Sequence, residues 1–199
     1  MARTIGIGHQ DFETVRMKNN FYVDKTHFIR EWWESDDEVT LIARPRRFGK
    51  TLAMSMVEKF FSVNYKDRGE LFEGLSIWQD EKYRALQGGY PVISLSFANV
   101  KEKDYRTAVQ RMNQIMTELY NNNRFLLKKD FLSEEEKAYF CSVCMDMPEV
   151  SATMAIHRMS RFLYQYYGKK VIILLDEYDT PMQEAYVNGF WDELAAFIR

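Results

Sequence analysis

Apolar residues follow two periods along the chain, and together they predict alternating strands and helices. Three runs are almost continuously apolar and rich in β-branched residues: 39–43, 90–97 and 171–175. Such runs are typical of strands buried on both faces of a parallel sheet. Elsewhere apolar residues recur every three or four positions, which predicts helices over 52–61, 103–120 and 151–167. The pattern therefore predicts an α/β protein.

Several residues predict where these helices begin and end. Asp11 starts a short helix, Thr26 is a predicted N-cap for the helix that begins at His27, and Ser133 with Glu136 forms a capping box. Gly168 closes the last predicted helix before the third strand. Residues 1–38 therefore form an amino-terminal prelude, and residues 98–168 a helical insertion between the second strand and the third.

The tract after the first predicted strand carries the first chemical signal. It reads Arg44-Pro45-Arg46-Arg47-Phe48-Gly49-Lys50-Thr51 and matches the second half of the P-loop (Walker A) pattern G-x-x-x-x-G-K-[ST]. In that motif backbone N–H groups surround phosphates, the lysine reaches the outer phosphates and the hydroxyl holds Mg²⁺. A strand before the loop and a helix after it are the context that the motif requires.

The loop departs from the pattern at its first half, where Arg44 replaces glycine and Pro45 removes one N–H donor. Arg46 and Arg47 offer guanidinium groups that suit phosphate oxygens, so side-chain charge can replace part of the backbone contacts. The alternative is that both arginines lie on the surface and pair with the acidic residues at 36–38. We assign nucleotide binding to Arg46, Arg47, Phe48, Gly49, Lys50, Thr51 and Leu52.

The third predicted strand ends in Asp176-Glu177, an acidic pair of Walker B type. An aspartate at the carboxyl end of such a strand is a Mg²⁺ partner in P-loop proteins, here together with Thr51. A neighbouring glutamate can orient and deprotonate an attacking water. We therefore expect Glu177 and Lys50 to be catalytic, with Thr51 and Asp176 at the metal. Asp179 either assists the metal or caps the loop before Pro181.

Composition excludes several other functions. The 199 residues carry a net charge of −2, which gives no general attraction to nucleic acid, and no basic surface interleaved with aromatic residues is visible. No apolar run reaches membrane-spanning length and no signal peptide begins the chain, so we expect a cytoplasmic protein. Cys141 and Cys144 lack a second ligand pair, and we interpret them as half-buried thiols on one helix face.

Three stretches together resemble the AAA-ATPase-like family of bacterial P-loop proteins. They are residues 21–26 (FYVDKT), 44–52 (RPRRFGKTL) and 175–181 (LDEYDTP). The resemblance implies a P-loop NTPase-type three-layer sandwich with a mostly parallel sheet, and ATP and Mg²⁺ as cofactors. It implies that Arg44 and Pro45 belong to the family's own version of the loop, and it places Asp24 and Lys25 near the nucleotide.

The same resemblance implies partners. Members are often fused to a carboxy-terminal PD-(D/E)XK nuclease-like domain, and ATPases of this kind often complete their site as homo-oligomers. Because the sequence ends within a predicted helix at 190–199, we expect a truncated, incomplete ATPase domain over residues 1–199. We predict Mg²⁺-dependent hydrolysis of ATP coupled to an effector. The alternative is a nucleotide-binding regulatory module that does not hydrolyse.

Overall fold

The computed structural model describes residues 4–43 and 48–198, which fall into two compact units. The first unit spans Met1–Val92 and the second spans Ile93–Arg199. The chain is 58% helical with a small parallel sheet of two strands, so the predicted α/β class is confirmed. The single domain over residues 1–199 stays a prediction.

The first unit is built from short helices around an aromatic core. Phe72 is fully buried, and its ring stacks on Phe12 at 5.2 Å and meets the edge of Phe60 at 5.1 Å between ring centroids. Its helices are α1 (Phe12–Met17), α2 (His27–Ser35), α3 (Lys50–Phe61) and α4 (Glu81–Arg84), with 3₁₀ turns at Val63–Tyr65, Gly69–Phe72 and Ser76–Gln79. The core fixes α3, which carries the predicted phosphate loop at its start.

The second unit packs helices against one face of the two-stranded sheet. Ile93 and Leu95 are buried among apolar residues that include Met116, Met159 and Phe162. Strand β1 (Val92–Ser96), which begins at the last residue of the first unit, pairs with β2 (Ile172–Asp176). The helices are α5 (Tyr105–Asn122), α6 (Glu134–Ser142), α7 (Glu149–Tyr167), α8 (Thr180–Asn188) and α9 (Trp191–Ile198), with a 3₁₀ turn at Arg124–Lys128.

Several predicted boundaries are confirmed. Ser133 accepts the N–H of Glu136 and the Glu136 carboxylate accepts the N–H of Ser133, which completes the capping box of α6. Gly168 has a φ of 63° and ends α7 by donating its N–H to Tyr164. Helix α7 begins at Glu149, two residues before the predicted start. Helices therefore fill the predicted insertion between the two strands.

The predicted strand at 39–43 is wrong. These residues form no strand, and Val39 and Leu41 are 88% and 67% exposed. A buried strand exists only where a neighbouring backbone completes its hydrogen bonds. Within the described residues, such pairing is limited to β1 with β2 and to one isolated parallel bridge between Ser62 and Tyr90. The apolar run at 39–43 predicted a buried strand, but an apolar run does not show whether a second strand lies beside it to complete its hydrogen bonds.

Two further details correct the sequence interpretation. Strand β2 is not buried on both faces, because Ile173 and Leu175 are 42% and 41% exposed and the alternate residues are only half-buried. Cys141 and Cys144 are exposed rather than half-buried. Helix α6 ends at Ser142, so Cys144 lies beyond the helix and the two thiols do not share a helix face.

Candidate functional site

The start of α3 carries the residues that the sequence predicts for a phosphate loop. Gly49 occupies the N-cap position with a φ of 77° and a ψ of 26°, in the left-handed region that favours glycine. No side chain within the described residues caps this helix end. The N–H groups of the first turn, beginning at Lys50, therefore point away from the helix with the positive end of its dipole, an arrangement that suits an anion.

The predicted binding residues that the structure describes are contiguous here. Phe48 precedes Gly49 and is 62% exposed. Helix α3 begins with Lys50 and Thr51, and Leu52 follows in the same turn. The side chain of Lys50 makes no ion pair with any residue in 4–43 or 48–198. Arg46 and Arg47 lie outside the described residues. Five of the seven predicted binding residues are thus consecutive at one helix end.

Helix α3 is fixed by a charged contact to α1. Lys59 Nζ lies 2.9 Å from Asp11 Oδ1, and Ser55 Oγ donates to the same oxygen at 3.2 Å while accepting the N–H of Phe12 at 3.0 Å. Burial alone would raise the pKa of Asp11, but hydrogen bonds from Thr14 and Lys59 outweigh it and lower that pKa to about 2. The carboxylate therefore stays ionised and holds the two helices together.

The acidic pair lies at the carboxyl end of β2, in the second unit. Asp176 is the last residue of the strand, and its Oδ1 accepts the N–H of Glu177 at 3.1 Å. Thr180 Oγ1 donates to Glu177 Oε2 at 3.4 Å. Both acidic side chains are half-buried. The strand therefore delivers two adjacent carboxylates to one edge, as the sequence predicts.

Glu177 has an unusual backbone. Its φ is 50°, in the left-handed region, where only Asn19 and Asp36 join it among non-glycine residues of the described chain. Asparagine and aspartate tolerate this region, whereas for other residues it costs roughly 1–2 kcal/mol. Such strain is concentrated at functional sites. It therefore supports a functional role for Glu177 beyond starting a polar loop.

Asp179 stands at the N-cap of α8, but its side chain caps no backbone N–H. Its Oδ2 instead accepts the side-chain amide of Gln183 at 2.6 Å. The predicted capping role of Asp179 is therefore wrong, because its carboxylate binds a side chain one helical turn along; the metal role stays a prediction.

A clamp in the first unit was not predicted from the sequence. Asp24 Oδ1 accepts the N–H and the hydroxyl of Thr26 at 2.8 and 2.7 Å, and Asp24 Oδ2 accepts the N–H of Ser76 at 2.7 Å. Thr26 Oγ1 also accepts the N–H of Ile77 at 3.2 Å. Burial would raise the pKa of Asp24, but these hydrogen bonds lower it. Thr26 therefore sits at the N-cap of α2 without capping it, because its hydroxyl binds the distant turn at Ser76–Gln79.

Comparison with known proteins decides the family. The family model described as "Predicted AAA-ATPase" matches residues 6–199. This chain belongs to the AAA-ATPase-like family. The resemblance inferred from the three motifs is confirmed, and membership implies that the protein uses a nucleotide.

A relative of this AAA-ATPase-like chain occurs in Azotobacter chroococcum mcd 1, under the name "Uncharacterized protein in vnfD 5'region". It is 27% identical over 181 residues, which cover 90% of this chain and 30% of the relative. The chain thus spans about a third of the length of that protein. No solved structure matches the AAA-ATPase-like chain significantly.

Two searches of the described residues bear on ligands and membranes. In 4–43 and 48–198, no three His, Cys, Asp or Glu side chains gather as a metal site would require. Over the same residues, every helix is too short or too polar to cross a bilayer. At the predicted loop, a Cβ placed on Gly49 would lie 3.8 Å from Lys25 Nζ.

Proposed function

We propose that this chain is a P-loop ATPase domain that binds ATP with Mg²⁺ at residues 46–52 and hydrolyses it. The observation that carries the proposal is the start of α3, where a left-handed Gly49 precedes an uncapped helix end and Lys50. Backbone donors, a helix dipole and a lysine that has no acidic partner in 4–43 or 48–198 converge there, and this combination suits a polyphosphate. Family membership supports nucleotide use independently.

Each residue has a defined task in this proposal. Lys50 binds the outer phosphates and, with Arg46 and Arg47, stabilises their charge. Thr51 and Asp176 hold Mg²⁺, which would neutralise charge on the phosphates. Glu177 orients and deprotonates the attacking water, a contribution of about 10²–10⁴ in rate. The three-layer sandwich, the coupling to a nuclease-like effector and a homo-oligomeric assembly belong to the same proposal.

Titration calorimetry tests the binding half. ATP with Mg²⁺ is titrated into the wild-type chain and into Lys50→Ala, with Lys18→Ala as the matched control because Lys18 is an exposed lysine after α1. We expect Lys50→Ala to weaken binding at least tenfold, since a charge-assisted contact contributes about 1.5–3 kcal/mol. Lys18→Ala should bind like wild type. Equal affinity in the wild-type and Lys50→Ala chains would refute binding at this loop.

Phosphate release tests the hydrolytic half. Glu177→Gln should keep the affinity for ATP and lose turnover, because the amide cannot accept the water's proton. If the wild-type chain binds ATP but releases no phosphate, hydrolysis is refuted and the regulatory module, which only binds, takes its place.

A further inference from the structure

A cavity lies beside the predicted phosphate loop, within the first unit. Its volume is about 200 Å³, and it extends from Gly49 along the first turns of α3. Its lining includes Leu52 and Ala53 of α3 together with Asn20, Phe21, Tyr22 and Lys25. The walls combine aromatic rings, an amide and a cation, so the cavity is neither purely apolar nor purely charged.

Lys25 brings a second cation to the loop. Its Nζ lies 3.8 Å from the position that a Cβ on Gly49 would occupy. The Lys25 ammonium forms no ion pair within the described residues. An exposed lysine that points at a glycine rather than at a carboxylate leaves its charge available to a ligand. Lys25 and Lys50 therefore flank the same glycine without acidic partners in the described chain.

The Asp24 clamp explains why Lys25 is held in this position. Asp24 and Thr26, the two neighbours of Lys25, are both fixed by hydrogen bonds to the turn at Ser76–Gln79. These contacts restrict the backbone on either side of Lys25, while its own side chain stays exposed. A lysine on a fixed backbone loses less freedom when it binds a ligand than one on a mobile loop.

We propose that this cavity receives the nucleoside end of the bound nucleotide and that Lys25 contacts its phosphates beside Gly49. The inference rests on the proposed function and adds the cavity residues and Lys25 to the proposed nucleotide site. The cavity is smaller than pockets of about 300–1,000 Å³ that enclose whole ligands, so it suits one ring system with the phosphates outside. Phe21 is 55% exposed and offers a ring for stacking.

Two probes separate the two ends of the site: ATP, and inorganic triphosphate, which has no nucleoside. Both are titrated with Mg²⁺ into the full 199-residue chain. Lys25→Ala should weaken both probes about tenfold, because it removes a phosphate contact. Phe21→Ala should weaken ATP about tenfold and leave triphosphate unchanged, because it removes only a nucleoside contact. Ala53→Leu, which fills part of the cavity from α3, should act like Phe21→Ala.

The controls separate failure of this inference from failure of the proposed function. Lys18→Ala removes an exposed lysine outside the cavity and should bind both probes like wild type. If Lys50→Ala loses both probes while Lys25→Ala and both cavity variants bind like wild type, the inference is overturned and the proposed function stands. If the wild-type chain binds neither probe, both are overturned. Circular dichroism identical to wild type is required of each variant.

Discussion

Replacing Asp11 with asparagine should weaken the attachment of α3 to α1 in a pH-dependent way. Asparagine caps helices about as well as aspartate, so the substitution removes the charge and leaves the cap of α1 in place. The lost charge leaves Lys59, whose side chain is 8% exposed, without its carboxylate. Helix α3, which carries the predicted phosphate loop at its start, is therefore destabilised near its carboxyl end.

The lowered pKa of Asp11 gives the size of the expected loss in the free energy of unfolding. A shift from 3.8 to about 2 corresponds to about 2.4 kcal/mol at full strength. The Asp11 side chain is 44% exposed, and solvent screening reduces this to about 1 kcal/mol. Because the folded pKa is lowered, the stabilisation is fully present above pH 3.8 and disappears as the pH falls through about 2. About half of it remains at pH 3.

Urea unfolding followed by tryptophan fluorescence measures this difference. The chain has four tryptophans, and Trp191→Phe leaves only those at 32, 33 and 78, all in the first unit. In that background, Asp11→Asn should lower the free energy of unfolding by about 1 kcal/mol at pH 7 and by about half as much at pH 3. Asp67→Asn, at an exposed aspartate of the same unit, is the control. No loss at pH 7, or an equal loss at both pH values, would refute the reasoning.

Three further substitutions test one buried side chain in each unit and one helix cap. Phe72→Ala should cost about 3–5 kcal/mol in the first unit, because the ring is fully buried between Phe12 and Phe60; urea unfolding in the Trp191→Phe background that shows under 1 kcal/mol would contradict this. Tyr120→Phe should cost about 1–2 kcal/mol, because its buried hydroxyl donates to Ala155 O at 2.9 Å; an unchanged urea midpoint would argue against that bond. Ser133→Ala should cost about 1 kcal/mol by removing the capping box, checked by thermal unfolding against Ser142→Ala at the other end of α6.

Local sequence signals predicted the elements that local chemistry determines. Helix α3 begins at Lys50 because Gly49 can adopt a left-handed backbone, and α6 begins after Ser133 because its capping box closes within four residues. Gly168 ends α7 because it, like Gly49, adopts a left-handed backbone. In each case the residues that determine the helix boundary are neighbours in the sequence, so the local sequence pattern is sufficient to predict that boundary.

Features that depend on distant residues could not be predicted. Residues 39–43 have the composition of a buried strand, but a strand requires a partner backbone that composition does not reveal. Asp24 was singled out only by family resemblance and Thr26 only as a predicted N-cap, because their hydrogen bonds reach Ser76 and Ile77, about fifty residues away. The family resemblance implied a position for Lys25 near the nucleotide, but no local pattern predicts that its Nζ lies beside Gly49. The polar clamp leaves no periodic pattern from which it could be read.

A crystal structure of the chain with ATP and Mg²⁺ tests the central claim most directly. We expect phosphate density in contact with the backbone N–H groups of Gly49, Lys50 and Thr51, in front of the first turn of α3. Density for the nucleotide at any other place, with this helix end facing only solvent at saturating ATP, would contradict it.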